Sequence, residues 1–149
     1  MTYCAKLLLV TGLLAATGAC SHGRYSKAAF QLPPDGNPEH GKAAFIALGC
    51  GSCHRVAGAD LPAPTVNPPV PVVLGGEVVH RLSDGYLATS MIYPSYDLAP
   101  YPAAEITTEG HSRMPAYTDR MTLRQMTDIV AFLQEHYKVV RERTDDVTH

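Results

Sequence analysis

The clearest apolar pattern lies in the last third of the chain. Leu123, Met126, Val130, Leu133 and Tyr137 recur at spacings of 3, 4, 3 and 4, with Ile129 and Phe132 beside them. That is the period of one helix face. Thr122 and Gln125 match a capping box and place the helix start at Thr122. Such a stripe must pack on another element, and a helix from Asn37 to about Gly49 is the natural partner. Asn37 caps it, Pro38 suits its first position and Glu39 complements its positive end. Gly41, Phe45 and Leu48 lie near one another on it, and Gly41 would let two helix backbones approach closely. A middle helix, capped by Ser83, runs to about Tyr93 and stops at Pro94. Between these helices, Leu61 to Val73 carries Pro62, Pro64, Pro68, Pro69 and Pro71, which excludes a helix interior and predicts an extended loop.

The N-terminus reads as targeting rather than fold. Lys6 supplies a positive charge, and Leu7 to Ala16 is apolar. A bilayer span needs about 20 apolar residues, so this run is a signal-peptide core instead. Thr17-Gly18-Ala19-Cys20 resembles a bacterial lipobox, with Thr17 where leucine is usual. The resemblance implies that Cys20 is lipidated and becomes the mature N-terminus; plain cleavage after Ala19 would leave it a free thiol. The expected organisation is a signal peptide at 1–19, a lipid-anchored flexible tether at 20–36, one domain at 37–138 and a polar tail at 139–149 that frays. A 16-residue coil reaches roughly 20–25 Å.

Composition narrows the function. The chain has 149 residues and a formal net charge of −2, from 12 Lys+Arg against 14 Asp+Glu. No basic run or Lys/Arg stripe points to nucleic acid. A domain this small buries only a modest fraction of its surface.

Cys50-Gly51-Ser52-Cys53-His54 carries the chemistry. C-x-x-C-H is the attachment site of a c-type haem. Each cysteine sulfur adds to one vinyl group, and the adjacent histidine reaches the iron from one face. A redox dithiol would need a βαβ setting that is missing here. A structural zinc site would need a second Cys or His pair at motif spacing, and none exists. The cysteines are then all assigned: Cys4 leaves with the signal, Cys20 carries lipid, and Cys50 and Cys53 carry haem. A buried haem also supplies apolar area that so small a domain lacks.

A short helix entering C-x-x-C-H, a proline-rich loop and Met114-Pro115 before a final amphipathic helix resemble a class I monohaem cytochrome c over residues 37–138. The resemblance implies an all-α, cytochrome c-like domain wrapped around one covalent haem c. It also implies that Gly41 and Phe45 cross the last helix near Phe132, Leu133 and Tyr137. His54 and Met114 would be the axial iron ligands, with His111 the rival for the second position. His/Met ligation raises the haem potential. In the family a proline carbonyl after the motif accepts a hydrogen bond from the proximal imidazole, and Pro62 and Pro64 are the candidates. Candidate donors to the haem propionates are Arg55, Tyr93, Tyr96, Arg113 and Tyr117.

The stretch Tyr86 to Ser95, followed by Met114-Pro115, is similar to cytochrome c domains associated with respiratory oxidases and reductases. The function expected is single-electron transfer between redox proteins, by a non-enzymatic carrier exported and lipid-anchored at a bacterial membrane facing the periplasm. No nucleic acid and no small-molecule substrate is expected as a partner. Two alternatives stand beside it. One is a haem enzyme or gas-binding protein with an open or displaceable sixth iron position. The other is a permanent cytochrome subunit of an oxidoreductase complex, docked through Val66 to Leu74 and Tyr93 to Tyr101.

Overall fold

The structure is a computed structural model that describes residues 30–64 and 72–140. The signal segment, Cys20, much of the tether, the centre of the proline loop and the tail beyond Val140 lie outside the described residues.

Three helices form where capping and periodicity place them. Helix α1, Pro38–Ala47, starts at Asn37, whose side chain accepts from the His40 N–H at 2.9 Å. Helix α2, Asp84–Ile92, starts at Ser83, whose hydroxyl accepts from the Tyr86 N–H at 3.1 Å. A four-residue helix α3, Ala103–Ile106, follows. Helix α4, Leu123–Glu135, has both halves of its capping box. The Gln125 N–H donates to the Thr122 hydroxyl at 3.2 Å, and the Thr122 N–H donates to Gln125 Oε1 at 2.9 Å.

Helices α1 and α4 form the centre of the fold. A Cβ built on Gly41 would run into the Asp128 backbone carbonyl and come within 2.8 Å of the Phe132 Cβ. Only glycine permits this approach. Beside the crossing, the Phe45 and Phe132 rings meet at 5.8 Å and 60°. Phe45, Ile129 and Val130 are the most deeply buried large side chains. Burial of each contributes about 1.5–3 kcal/mol. Leu87, Ala88 and Met91 bring α2 into the same core.

Buried polar groups fix how the helices join. Asp128 is buried and its carboxylate accepts from the Asn37 N–H at 2.9 Å, tying the entry of α1 to α4. Gln134 Nε2 donates to the Leu82 carbonyl at 2.8 Å and to Asp84 Oδ1 at 2.9 Å, tying α4 to the start of α2. Arg81 donates to the Gln134 and Tyr137 carbonyls at 3.3 and 3.0 Å. The Gln134 carbonyl, in the last turn of α4, lacks a partner within the helix, and Arg81 supplies one.

Short strands complete the helical fold. The parallel pair β1, His54–Val56, and β2, Val72–Leu74, places His54 opposite Val72. The parallel pair β3, Gly76–Val78, and β6, Tyr137–Val139, joins the middle of the chain to its end. Strands β4, Thr107–Thr108, and β5, His111–Ser112, form an antiparallel ladder just before Met114. None of these ladders is anticipated by the sequence reading, because two or three residues are too few to show alternation.

Two boundaries shift. The end of the expected flexible tether is packed: Leu32 is only 8% exposed and belongs to the core. Asp35 accepts from Arg124 at 3.0 Å, and a Cβ on Gly36 would come within 2.8 Å of Ala131. The expected tail begins inside the fold, since the Val140 N–H donates to the Val78 carbonyl at 3.0 Å. No helix among the described residues is long and apolar enough to cross a membrane.

Candidate functional site

Helix α1 is capped by Leu48, and Gly49 turns the chain with φ 75°. Left-handed φ values favour glycine. The chain then enters a single 3₁₀ turn, Cys50–Ser52, closed by Ser52 N–H to the Gly49 carbonyl at 3.0 Å. The Cys53 N–H donates to the Cys50 carbonyl at 3.2 Å. In 3₁₀ geometry side chains three apart eclipse one another. The turn therefore brings Cys50 and Cys53 to one side. Both are free thiols, Cys50 half-buried and Cys53 exposed. Burial pushes the Cys50 thiol up from its ordinary pKa, while a hydrogen bond with Tyr117 pulls the other way.

His54 follows as the first residue of β1 and is half-buried. Its Nδ1 lies 3.3 Å from the Val72 carbonyl oxygen. A carbonyl only accepts, which assigns the proton to Nδ1 and leaves the Nε2 lone pair free. Nε2 has no hydrogen-bond partner among the described residues. Burial lowers the pKa of His54 and so favours the neutral ring, with the Val72 hydrogen bond opposing in part. The expectation of a Pro62 or Pro64 acceptor is corrected. The register of β1 with β2 places Val72 opposite His54 and brings its carbonyl to the ring.

Met114 is partly buried and packs against the core, as Cys50 does. Its N–H donates to the Ser112 hydroxyl at 3.2 Å, and the Ser112 N–H donates to the Ser95 hydroxyl at 3.0 Å. Met91 and Met126 are buried core residues, and Met121 packs partly buried against that core. His111 is exposed and lies in the short ladder opposite Thr108.

The candidate propionate donors separate into two groups. Arg113 donates to the Thr107 and Ala104 carbonyls at 3.2 and 3.3 Å, and buried Tyr117 donates to the Leu48 carbonyl at 3.2 Å. Both therefore have protein partners. Arg55, Tyr93 and Tyr96 are exposed, with the two tyrosine rings 5.8 Å apart.

The cytochrome c family model matches residues 38–136, from the start of α1 to just past the end of α4. This chain belongs to the cytochrome c family. Comparisons with curated proteins and with solved structures found no match. The cytochrome carries one covalently bound haem c and works with redox partners in haem-based electron transfer. Its own residues fit that group. Two cysteines lie at the start and the cap of one 3₁₀ turn, and the next residue is an imidazole whose distal nitrogen has no partner among the described residues. Leu48, Leu61, Leu74 and Met114 add a partly exposed apolar margin to the core. No group of three or more metal-ligating His, Cys, Asp or Glu residues occurs among the described residues. The nitrogen and thioether pair expected for haem iron is not such a group.

Proposed function

We propose that this protein is a class I monohaem cytochrome c of the bacterial lipoprotein type, a carrier and not an enzyme. Cys50 and Cys53 would form the two thioether bonds, and His54 and Met114 would be the axial iron ligands. The bound haem supplies one-electron chemistry through the ferrous and ferric states of its iron. The single observation that carries the reading is the held imidazole. The Val72 carbonyl fixes the ring's tautomer and orientation, and the Nε2 lone pair is left for a metal.

The chain's other residues support a carrier. The Met114 backbone is held by Ser112, and its side chain packs on the core rather than extending into solvent. Two retained ligands leave no iron position for a substrate. The partners are proteins that donate and accept single electrons, met in small and weak encounters. Lipid on Cys20 would hold the domain at a bacterial membrane, facing the periplasm.

The test is the reactivity of the purified holoprotein. The reduced form should bind no carbon monoxide at neutral pH, should cycle reversibly between its two oxidation states and should not accelerate peroxide loss. Ready carbon monoxide binding with peroxide turnover would replace the carrier by a haem enzyme or gas-binding protein.

A further inference from the structure

Tyr117 connects several parts of the site. It lies three residues beyond Met114 and is 8% exposed. Its hydroxyl donates to the Leu48 carbonyl at 3.2 Å, at the end of α1 and two residues before Cys50. Its N–H donates to the Met91 carbonyl at 2.9 Å, near the end of α2. Its own carbonyl accepts from the Arg120 and Met121 N–H groups at 3.1 and 3.2 Å, just before α4.

The hydroxyl does something a buried ring alone does not. A carbonyl at the C-terminus of a helix has no partner within the helix. The phenol provides one from a position 69 residues away. The same hydroxyl sits beside the Cys50 sulfur. A thioether sulfur is only a weak acceptor, so the single hydroxyl proton stays with the stronger Leu48 carbonyl. Between Met114 and Tyr117 stand only Pro115 and Ala116, both exposed. Pro115 fixes its own φ, which leaves this linker fewer conformations. Met114 is therefore bracketed by Ser112 upstream and Tyr117 downstream.

We infer that Tyr117 is a positioning residue for Met114, its hydroxyl holding the methionine loop against the turn that bears Cys50, Cys53 and His54. The inference rests on the reading of Met114 as the second axial ligand. When Met114 leaves the iron, its loop must move, and the Tyr117–Leu48 hydrogen bond opposes that movement. A buried hydrogen bond of ordinary net strength corresponds to a factor of about 3 to 10 in such an equilibrium.

The experiment titrates the ferric holoprotein with imidazole and follows loss of the far-red iron–thioether absorption. The proteins are the parent, Tyr117→Phe and Ile129→Val. The last trims a fully buried side chain of α4 by one methylene and serves as a control for general loss of stability. Melting temperatures are measured on all three. Tyr117→Phe should keep the far-red band without imidazole and should bind imidazole about 3 to 10 times more tightly than the parent. Ile129→Val should lower the melting temperature and leave imidazole affinity unchanged. Unchanged affinity in Tyr117→Phe, with the band present in the parent, overturns the inference and leaves Met114 as ligand. Equal tightening in both variants also overturns it, since the effect would then follow stability alone. A parent with no far-red band overturns the Met114 reading and this inference together.

Discussion

One short turn delivers two thiols and an imidazole in five consecutive residues. The 3₁₀ geometry of Cys50–Ser52 eclipses residues three apart, and β1 begins at once with His54. On the proposed assignment, haem is attached through these two sulfurs. Denaturing mass spectrometry of the mature protein should show one haem covalently retained. The double variant Cys50→Ala with Cys53→Ala should lose it entirely, and a double variant that still carries covalent haem would contradict the assignment. These residues were legible in the sequence because the chemistry demands a local spacing. Their partners were not. The Val72 carbonyl and the Leu48 carbonyl lie 18 and 69 residues from the side chains that meet them. Backbone acceptors carry no side-chain signature, so only the folded register reveals them.

At the scale of elements, the crossing of α1 and α4 holds the turn in place. Gly41 lies at the closest approach, where the neighbour is backbone rather than a flexible side chain. Gly41→Ala should therefore cost about 3 kcal/mol or more. That corresponds to a fall of about 10 °C or more in the holoprotein's melting temperature. Thr122→Ala, which removes one half of a cap at a helix end, should cost only about 1 kcal/mol. Equal losses from the two substitutions would mean that the helix crossing is not the tight point of the fold.

The three main helices were readable from Asn37, Ser83, Thr122 and the stripe Leu123 to Tyr137, because caps and period 3.6 are local signals. The ladders β1–β2 and β3–β6 were not. They pair distant three-residue segments with no room for a pattern. The packed end of the tether escaped notice for a similar reason. Leu32 stands among prolines and polar residues, and only the completed core shows where it goes.

At the scale of the whole molecule, the chain has a low net charge of −2, and a lipid on Cys20 would hold its small domain near a membrane. Because Leu32 is already in the core, the chain from Cys20 to Leu32 reaches no more than roughly 40 Å when fully extended. The domain would therefore meet partners that lie on or in the same membrane. Cys20→Ala should move the mature cytochrome from the membrane fraction to the soluble fraction without changing its visible spectrum. An unchanged distribution would remove the lipid anchor from the account. The low net charge gives little long-range steering. Selection of partners then falls to short-range contact with the surface near the haem. The most direct measurement of the central claim is the ferric visible spectrum of the mature protein beside that of Met114→Ala. The account predicts a weak far-red band in the parent that is lost in the variant, with carbon monoxide binding to the reduced variant alone. A parent that lacks the band and binds carbon monoxide as readily as the variant would contradict a six-coordinate His54/Met114 electron carrier.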